Sequence, residues 1–180
     1  MLQRDQALLL VIDVQEKMMP VIHRREDVTR EVVRLIRGAR ELGLPMRVTE
    51  QYVRGLGPTV PAVQEAMGEA YLPIEKMAFS ACGEPRLMEA LEATGRRQIL
   101  LCGVETHVCV YQTARQLLEQ GYEVHLVTDA VGSRAEGNYR LALETLGQRG
   151  AQLTSVEMAL FELMVRADIP EFKAVSRLVK

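Results

Sequence analysis

Arg97-Gln-Ile-Leu-Leu-Cys-Gly-Val-Glu-Thr-His-Val-Cys-Val-Tyr-Gln-Thr113 reads as a buried strand, a glycine-containing turn and a helix with a cysteine in its first turn. The partial positive charge at a helix N-terminus favours thiolate over thiol, and the thiolate is the nucleophile. Cys109 is therefore a candidate nucleophile. Working outward, the same strand-then-helix unit recurs along the chain. Ala7–Val14 is an almost continuous apolar run, as expected of a strand covered on both faces. Arg25–Leu42 carries Val28, Val32, Val33, Ile36 and Ala39 at helical spacing and stops at Gly43, a residue suited to a helix C-cap. Further strands are predicted at Pro45–Glu50, Leu72–Glu75, Gln98–Cys102, Glu123–Thr128 and Ala151–Thr154. Helices are predicted at Glu84–Thr94, His107–Glu119, Asn138–Gln148, Val156–Val165 and Pro170–Leu178. The stretch Gln51–Pro61 is rich in turn formers and shows no period.

Strand and helix alternate throughout, with no repeat and no linker. Such alternation predicts an α/β fold: a doubly wound, Rossmann-like, three-layer α/β/α arrangement around a six-stranded parallel sheet. Right-handed crossovers leave few topologies, of which the order 3-2-1-4-5-6 is expected. Strands 1 and 4 are then neighbours, and the gap beyond their carboxyl ends is where such sheets place ligands. Asp13 ends the first strand and Cys109 follows the fourth, so the two should face each other there.

The chain has 180 residues, 48% hydrophobic and 26% charged, which predicts one soluble domain spanning 1–180 with a core of its own. A net charge of −2 gives no basic footprint for nucleic acid, and no strongly basic stripe is visible. Apolar runs are far shorter than the ~20 residues a membrane-spanning helix needs. Nothing ahead of the first strand reads as a signal peptide. Cys82, Cys102 and Cys109 are three, an odd number without a Cys-x-x-Cys pair. They fit a reducing, cytoplasmic setting rather than a disulfide framework. The three histidines, His23, His107 and His125, form no ligand cluster in the sequence, so no metal is expected.

Asp13 is a lone acid after five apolar residues. It reads either as a turn carboxylate or as a general base beside Cys109, and the shared switch point favours the base. Lys76, in Pro73-Ile-Glu-Lys-Met-Ala-Phe-Ser80, is a surface lysine or a cation turned into the same crevice. Spacing does not decide between them. His107 stands two residues before Cys109, and residues two apart do not share a helix face, so a Cys–His dyad is geometrically poor. His107 is expected packed or half exposed, Cys102 an inert core thiol, and Cys82 incidental. No Gly-x-Gly-x-x-Gly follows the first strand and no Gly-Lys-Ser/Thr loop exists, so a nucleotide cofactor loses its main support.

Leu10-Val-Ile-Asp-Val-Gln15, Thr49-Glu-Gln-Tyr52, Gly55-Leu-Gly-Pro-Thr-Val-Pro61, Glu75-Lys-Met-Ala-Phe-Ser80, Gly103-Val-Glu-Thr-His-Val-Cys109 and Val127-Thr-Asp-Ala-Val-Gly-Ser133 together resemble the isochorismatase-like cysteine hydrolase family. The resemblance runs from about Ala7 to Phe161. It implies that the family's Asp–Lys–Cys triad falls on Asp13, Lys76 and Cys109. It further implies a cis peptide at Val104–Glu105 and an oxyanion hole from the backbone N–H groups of Glu105 and Cys109. A homo-oligomer is implied too, with the apolar stretch Met158–Val165 either its interface or ordinary core.

Two departures narrow the activity. Nicotinamidases of the family carry an Asp-x-His type metal site after the second strand, where this chain has Glu50-Gln-Tyr-Val-Arg-Gly-Leu-Gly57 and no histidine. Isochorismatases proper lack the nucleophilic cysteine. The expected function is a metal-independent hydrolase, without cofactor, acting on a small amide or related carbonyl compound through a thioester. Gln51, Tyr52 and Phe79 are candidate pocket walls, by their closeness to strand ends. The rival readings are a catalytically silent binding or scaffold protein, and a nucleotide-dependent oxidoreductase.

Overall fold

The computed structural model describes residues 1–180. Its strands are β1 (Ala7–Ile12), β2 (Met46–Gln51), β3 (Ile74–Lys76), β4 (Gln98–Val104), β5 (Glu123–Gly132) and β6 (Gln152–Thr154). They form one six-stranded sheet in the order β3-β2-β1-β4-β5-β6, with every pair parallel. The predicted doubly wound order is the observed one. All six residues of β1 are fully buried. Successive strand side chains point to opposite faces, so both faces of the sheet centre must be covered. Each such aliphatic side chain stabilises the fold by about 1.5–3 kcal/mol relative to exposure.

The helices are α1 (Arg25–Glu41), α2 (Val53–Leu56), α3 (Pro61–Met67), α4 (Pro85–Glu92), α5 (Tyr111–Glu119), α6 (Glu136–Gln148), α7 (Val156–Met164) and α8 (Phe172–Leu178). They fall into two groups: α1 packs against α3, α7 and α8, while α5 packs against α6. Gly38 permits the close α1–α7 approach, since a Cβ there would lie 2.4 Å from Leu160 Cδ2. No helix is long and apolar enough to cross a membrane.

Three differences from the sequence reading bear on the site. The aperiodic stretch after β2 contains α2 and α3; four and seven residues are too few for a period to show, and Pro61 starts the second at a position proline favours. The segment between β4 and α5 is one π-helical turn, Thr106–Val110, so Cys109 precedes the regular helix instead of standing in its first turn. Finally, basic residues gather more than the net charge reveals. Arg25, Arg30, Arg34 and Arg37 of α1 with Arg177 of α8, together with Glu26, line an open groove of about 630 Å³, in which Arg30 and Arg34 also pair with Asp27 and Glu31.

Candidate active site

The carboxyl ends of β1, β2, β3 and β4 converge on Asp13. Its backbone takes a left-handed conformation, φ 53°, which an aspartate tolerates better than most residues. That twist ends β1 one residue earlier and turns the carboxylate toward its neighbours. Oδ1 accepts a 2.7 Å hydrogen bond from Thr49 Oγ1 and Oδ2 accepts one of 2.7 Å from Lys76 Nζ. Polar donors from β2 and β3, not apolar walls, surround this acid.

Lys76 is no surface lysine: its side chain is 0% exposed. Besides Asp13, its Nζ donates to Gln51 Oε1 at 2.7 Å and to the Phe79 carbonyl at 3.0 Å, with the Ala78 carbonyl at 3.3 Å. An ammonium has three protons, and these acceptors take all of them. The cation is fixed in place by its surroundings.

Cys109 is 6% exposed. Its thiol is pushed up to about 12, chiefly by burial and then by the Asp13 charge, while the Lys76 charge acts in the opposite direction and Glu105 adds a smaller upward push. The helix-terminus expectation does not carry over, because Cys109 precedes the regular helix and burial disfavours its anion. Cys109 rests as a thiol, with an acid and a cation both close enough to govern its proton.

Glu105 makes the turn between β4 and the π-helical segment. The expected cis peptide at Val104–Glu105 is absent: the chain holds no cis bond. Glu105 instead adopts φ 57°, ψ 63°, and this left-handed residue reverses the chain with a trans bond. Its carbonyl accepts from the Val108 and Val110 N–H groups at 2.8 and 3.3 Å.

Of the candidate pocket walls, Gln51 is an internal strut. Its side chain accepts from Lys76 and donates to the Met77 carbonyl at 2.8 Å. Gln15 in turn holds the Gln51 backbone, accepting from its N–H at 2.7 Å and donating to its carbonyl at 2.9 Å. Tyr52 and Phe79 are 48% and 56% exposed at the ends of the strands that carry Gln51 and Lys76. Phe79 meets the site through its carbonyl. His107 is part-buried; its Nδ1 lies 3.1 Å from Ser133 Oγ and its Nε2 3.7 Å from Glu105 Oε2, an arrangement that includes no pairing with Cys109. Cys102 is fully buried and Cys82 part-buried, and burial raises both thiols. No three His, Cys, Asp or Glu side chains converge as a metal site. A separate cavity of about 260 Å³ between α1, β5 and α6 contains none of Asp13, Lys76 or Cys109.

Thr49, Gln15 and Arg134, which bonds the Glu105 carboxylate, were not singled out by the sequence. Only the strand order could have flagged Thr49, as the residue paired with Ile12 beside Asp13.

Residues 7–158 match the isochorismatase domain family. Isochorismatase domain-containing protein 2 of Bos taurus is 41% identical over 175 residues, 97% of this chain and 83% of the relative. The MAR1 ribonuclease of Caenorhabditis elegans superposes with a TM-score of 0.93 at 39% identity, covering 99% of this chain and 91% of that one. Two YcaC structures are similar as well. That from Escherichia coli, described as an octameric hydrolase of unknown specificity, has a TM-score of 0.91 at 27% identity over 98% and 89% of the two chains. That from Pseudomonas aeruginosa, described with covalent acrylamide, has a TM-score of 0.90 at 28% identity over 97% and 89%.

Proposed function

This chain belongs to the isochorismatase family, and on that premise we propose that it is a cysteine hydrolase of a small amide or related carbonyl compound. The carrying observation is geometric: Asp13 and Lys76, joined by a 2.7 Å hydrogen bond, are buried beside the Cys109 thiol. A thiol so placed is activated only as it attacks, by transfer of its proton to an adjacent base. As Cys109 Sγ bonds to the substrate carbonyl carbon, Asp13 takes the thiol proton. Lys76 stays bound to the Asp13 carboxylate and its charge favours the anionic sulfur. The backbone N–H groups of Glu105 and Cys109 receive the negative carbonyl oxygen, each such donor being worth about 2.7–4 kcal/mol of barrier. The tetrahedral adduct collapses, the C–N bond breaks and Asp13 hands its proton to the departing amine. Water, deprotonated by Asp13, then attacks the thioester; the acid leaves and the sulfur regains a proton.

The residues fit chemistry without a resident metal, because the base, the cation and the nucleophile are all side chains. The three residues are 4%, 2% and 6% exposed, which suits a small substrate. Tyr52 and Phe79, exposed beyond the strands that carry Gln51 and Lys76, are the proposed rim residues. The octameric E. coli relative supports a homo-oligomer. On α7, Ala159, Leu160, Leu163 and Met164 belong to the core, whereas Met158, Phe161 and the following Val165 are exposed and form its candidate contact.

A second reading is favoured by the C. elegans relative, named a ribonuclease, together with the arginine-lined groove beside α1, whose guanidinium groups would suit phosphates. One experiment separates the readings. Small amides, esters and a labelled RNA are offered to the unaltered protein and to Cys109→Ala. The hydrolase reading expects turnover of a carbonyl substrate, a mass increase on Cys109 during turnover, and loss of both in the variant. Carbonyl turnover that survives the substitution rejects covalent catalysis. RNA cleavage alone selects the second reading, and no turnover of any kind selects a silent scaffold.

A further inference from the structure

The Glu105 side chain has no part in the steps above, yet it is 7% exposed and elaborately held. Its Oε1 accepts from the Arg134 backbone N–H at 3.2 Å. Its Oε2 receives Arg134 Nε at 3.3 Å and Nη2 at 3.2 Å, and His107 Nε2 is 3.7 Å away. His107 Nδ1 then meets Ser133 Oγ at 3.1 Å. Residues 105 and 107 of the turn are thereby fastened to residues 133 and 134, just beyond β5. The two segments are already registered, since Val104 pairs with Gly132.

We propose that Arg134 is a positioning residue for the oxyanion site, acting through the Glu105 carboxylate. Glu105 occupies the left-handed region, where a residue without Gly or Asn character is held only by its surroundings. Its peptide plane carries one of the N–H groups assigned to the oxyanion hole, and its carbonyl anchors the turn that holds Cys109. Both guanidinium nitrogens converge on Oε2 while the Arg134 backbone N–H holds Oε1, so residue 134 restrains both carboxylate oxygens, and its side chain supplies the charged half of that hold. The guanidinium also offsets a carboxylate whose charge otherwise works against an anion at Cys109. The Arg134 side chain is 60% exposed, so its removal leaves the core intact. The inference rests on Cys109 being the nucleophile and on the backbone oxyanion hole.

Two electrophiles separate positioning from general reactivity. In addition to acrylamide, Cys109 Sγ bonds to the terminal alkene carbon and the π electrons move onto the carbonyl oxygen; the enolate is then protonated at carbon. In alkylation by iodoacetamide, Sγ bonds to the methylene carbon, the C–I bond breaks and its electron pair leaves on iodide, so no oxyanion forms. The thiolate population enters both rates and cancels in their ratio. Rates of Cys109 modification, followed by mass spectrometry, should show the acrylamide-to-iodoacetamide ratio falling by roughly tenfold or more in Arg134→Met, part of the ~10²–10³-fold cost of losing a whole oxyanion donor. Arg134→Lys, which keeps one charged donor, should restore part of the ratio. A merely structural role lowers both rates together, and a ratio within about twofold of the unaltered protein's overturns the proposal. If Cys109 of the unaltered protein reacts with neither reagent while Cys82 does, the nucleophile reading itself falls and this inference falls with it. If Cys109 reacts normally and only the ratio stays fixed, the inference alone fails.

Discussion

Lys76 Nζ donates to Asp13 Oδ2 at 2.7 Å although their strands, β3 and β1, are separated in the sheet by β2. The side chain of Lys76 therefore passes over the end of β2, where Gln51 and Thr49 meet the same two groups. Carboxylate and ammonium are one buried unit, and a change at either end acts on both. Breaking a buried pair from one side leaves an uncompensated charge, whereas neutralising both ends does not.

Lys76→Met should accordingly destabilise the protein by about 3–5 kcal/mol, because Asp13 stays buried without its cation. Asp13→Asn/Lys76→Met should recover most of that loss while remaining inactive. Asparagine tolerates the left-handed backbone at position 13 and still accepts from Thr49. Urea unfolding of the single and double variants measures the difference; equal losses would mean that the pair contributes through packing alone.

The raised Cys109 thiol makes a pH prediction whose sign follows from linkage. Between the ordinary thiol value of 9.0 and about 12, the unfolded chain has released this proton and the folded chain has kept it. Stability then falls as pH rises. The contribution is fully present below 9.0 and lost on the way to about 12. Cys109→Ser, which carries no titrating thiol, should show a shallower loss of Tm above pH 9.0 than the unaltered protein. Because Asp13 raises the thiol and Lys76 lowers it, Asp13→Asn should move the pH profile of Cys109 alkylation down and Lys76→Met should move it up. Shifts of the same sign in both variants would contradict the arrangement.

Thr49 supplies the other donor to Asp13. Thr49→Val removes the hydroxyl and leaves a buried carboxylate oxygen short of a partner, at a cost of about 1.5–3 kcal/mol for a bond to a charged group. Thr49→Ser keeps the donor and should recover both stability and turnover. Recovery of stability without turnover would mean that the threonine methyl group shapes the crevice.

The legible parts of this molecule were those written as runs. Leu8–Ile12 and Ile99–Cys102 are apolar on both faces, and the strand-helix alternation left few windings, of which the expected one brought Asp13 to Cys109. Lys76 could not be placed that way, because its acceptors include the backbone carbonyls of Ala78 and Phe79, which residue type does not encode. The same holds for Glu105: glutamate has no special preference for φ 57°, so a turn made by a trans peptide was invisible where the resemblance implied a cis one. The upward push on the Cys109 thiol was missed for a different reason. A local dipole was weighed without the desolvation that the folded crevice imposes. No basic stripe was read along α1, and only the packing of α8 showed the groove its arginines share with Arg177.

Gly103 tests how closely β4 must approach β1 for the site to exist. It sits where the β4–β5 register shifts, has φ 126°, and a Cβ there would lie 2.1 Å from the Ile12 carbonyl oxygen and 2.6 Å from its nitrogen. Both obstacles are backbone, so no side-chain rotation relieves them. Gly103→Ala must push apart the two strands whose ends carry Asp13 and Glu105, and should cost about 4 kcal/mol or more or prevent folding. Gly43, also left-handed at φ 67° but with nothing within 4 Å of the added Cβ, provides the control. Its replacement by alanine should cost only the local strain of about 1–2 kcal/mol and leave the rate of Cys109 modification unchanged. Comparable losses from the two substitutions would place the cost in backbone conformation. A far larger loss at Gly103 places it in the β1–β4 contact, and so in the spacing of Asp13 from Cys109.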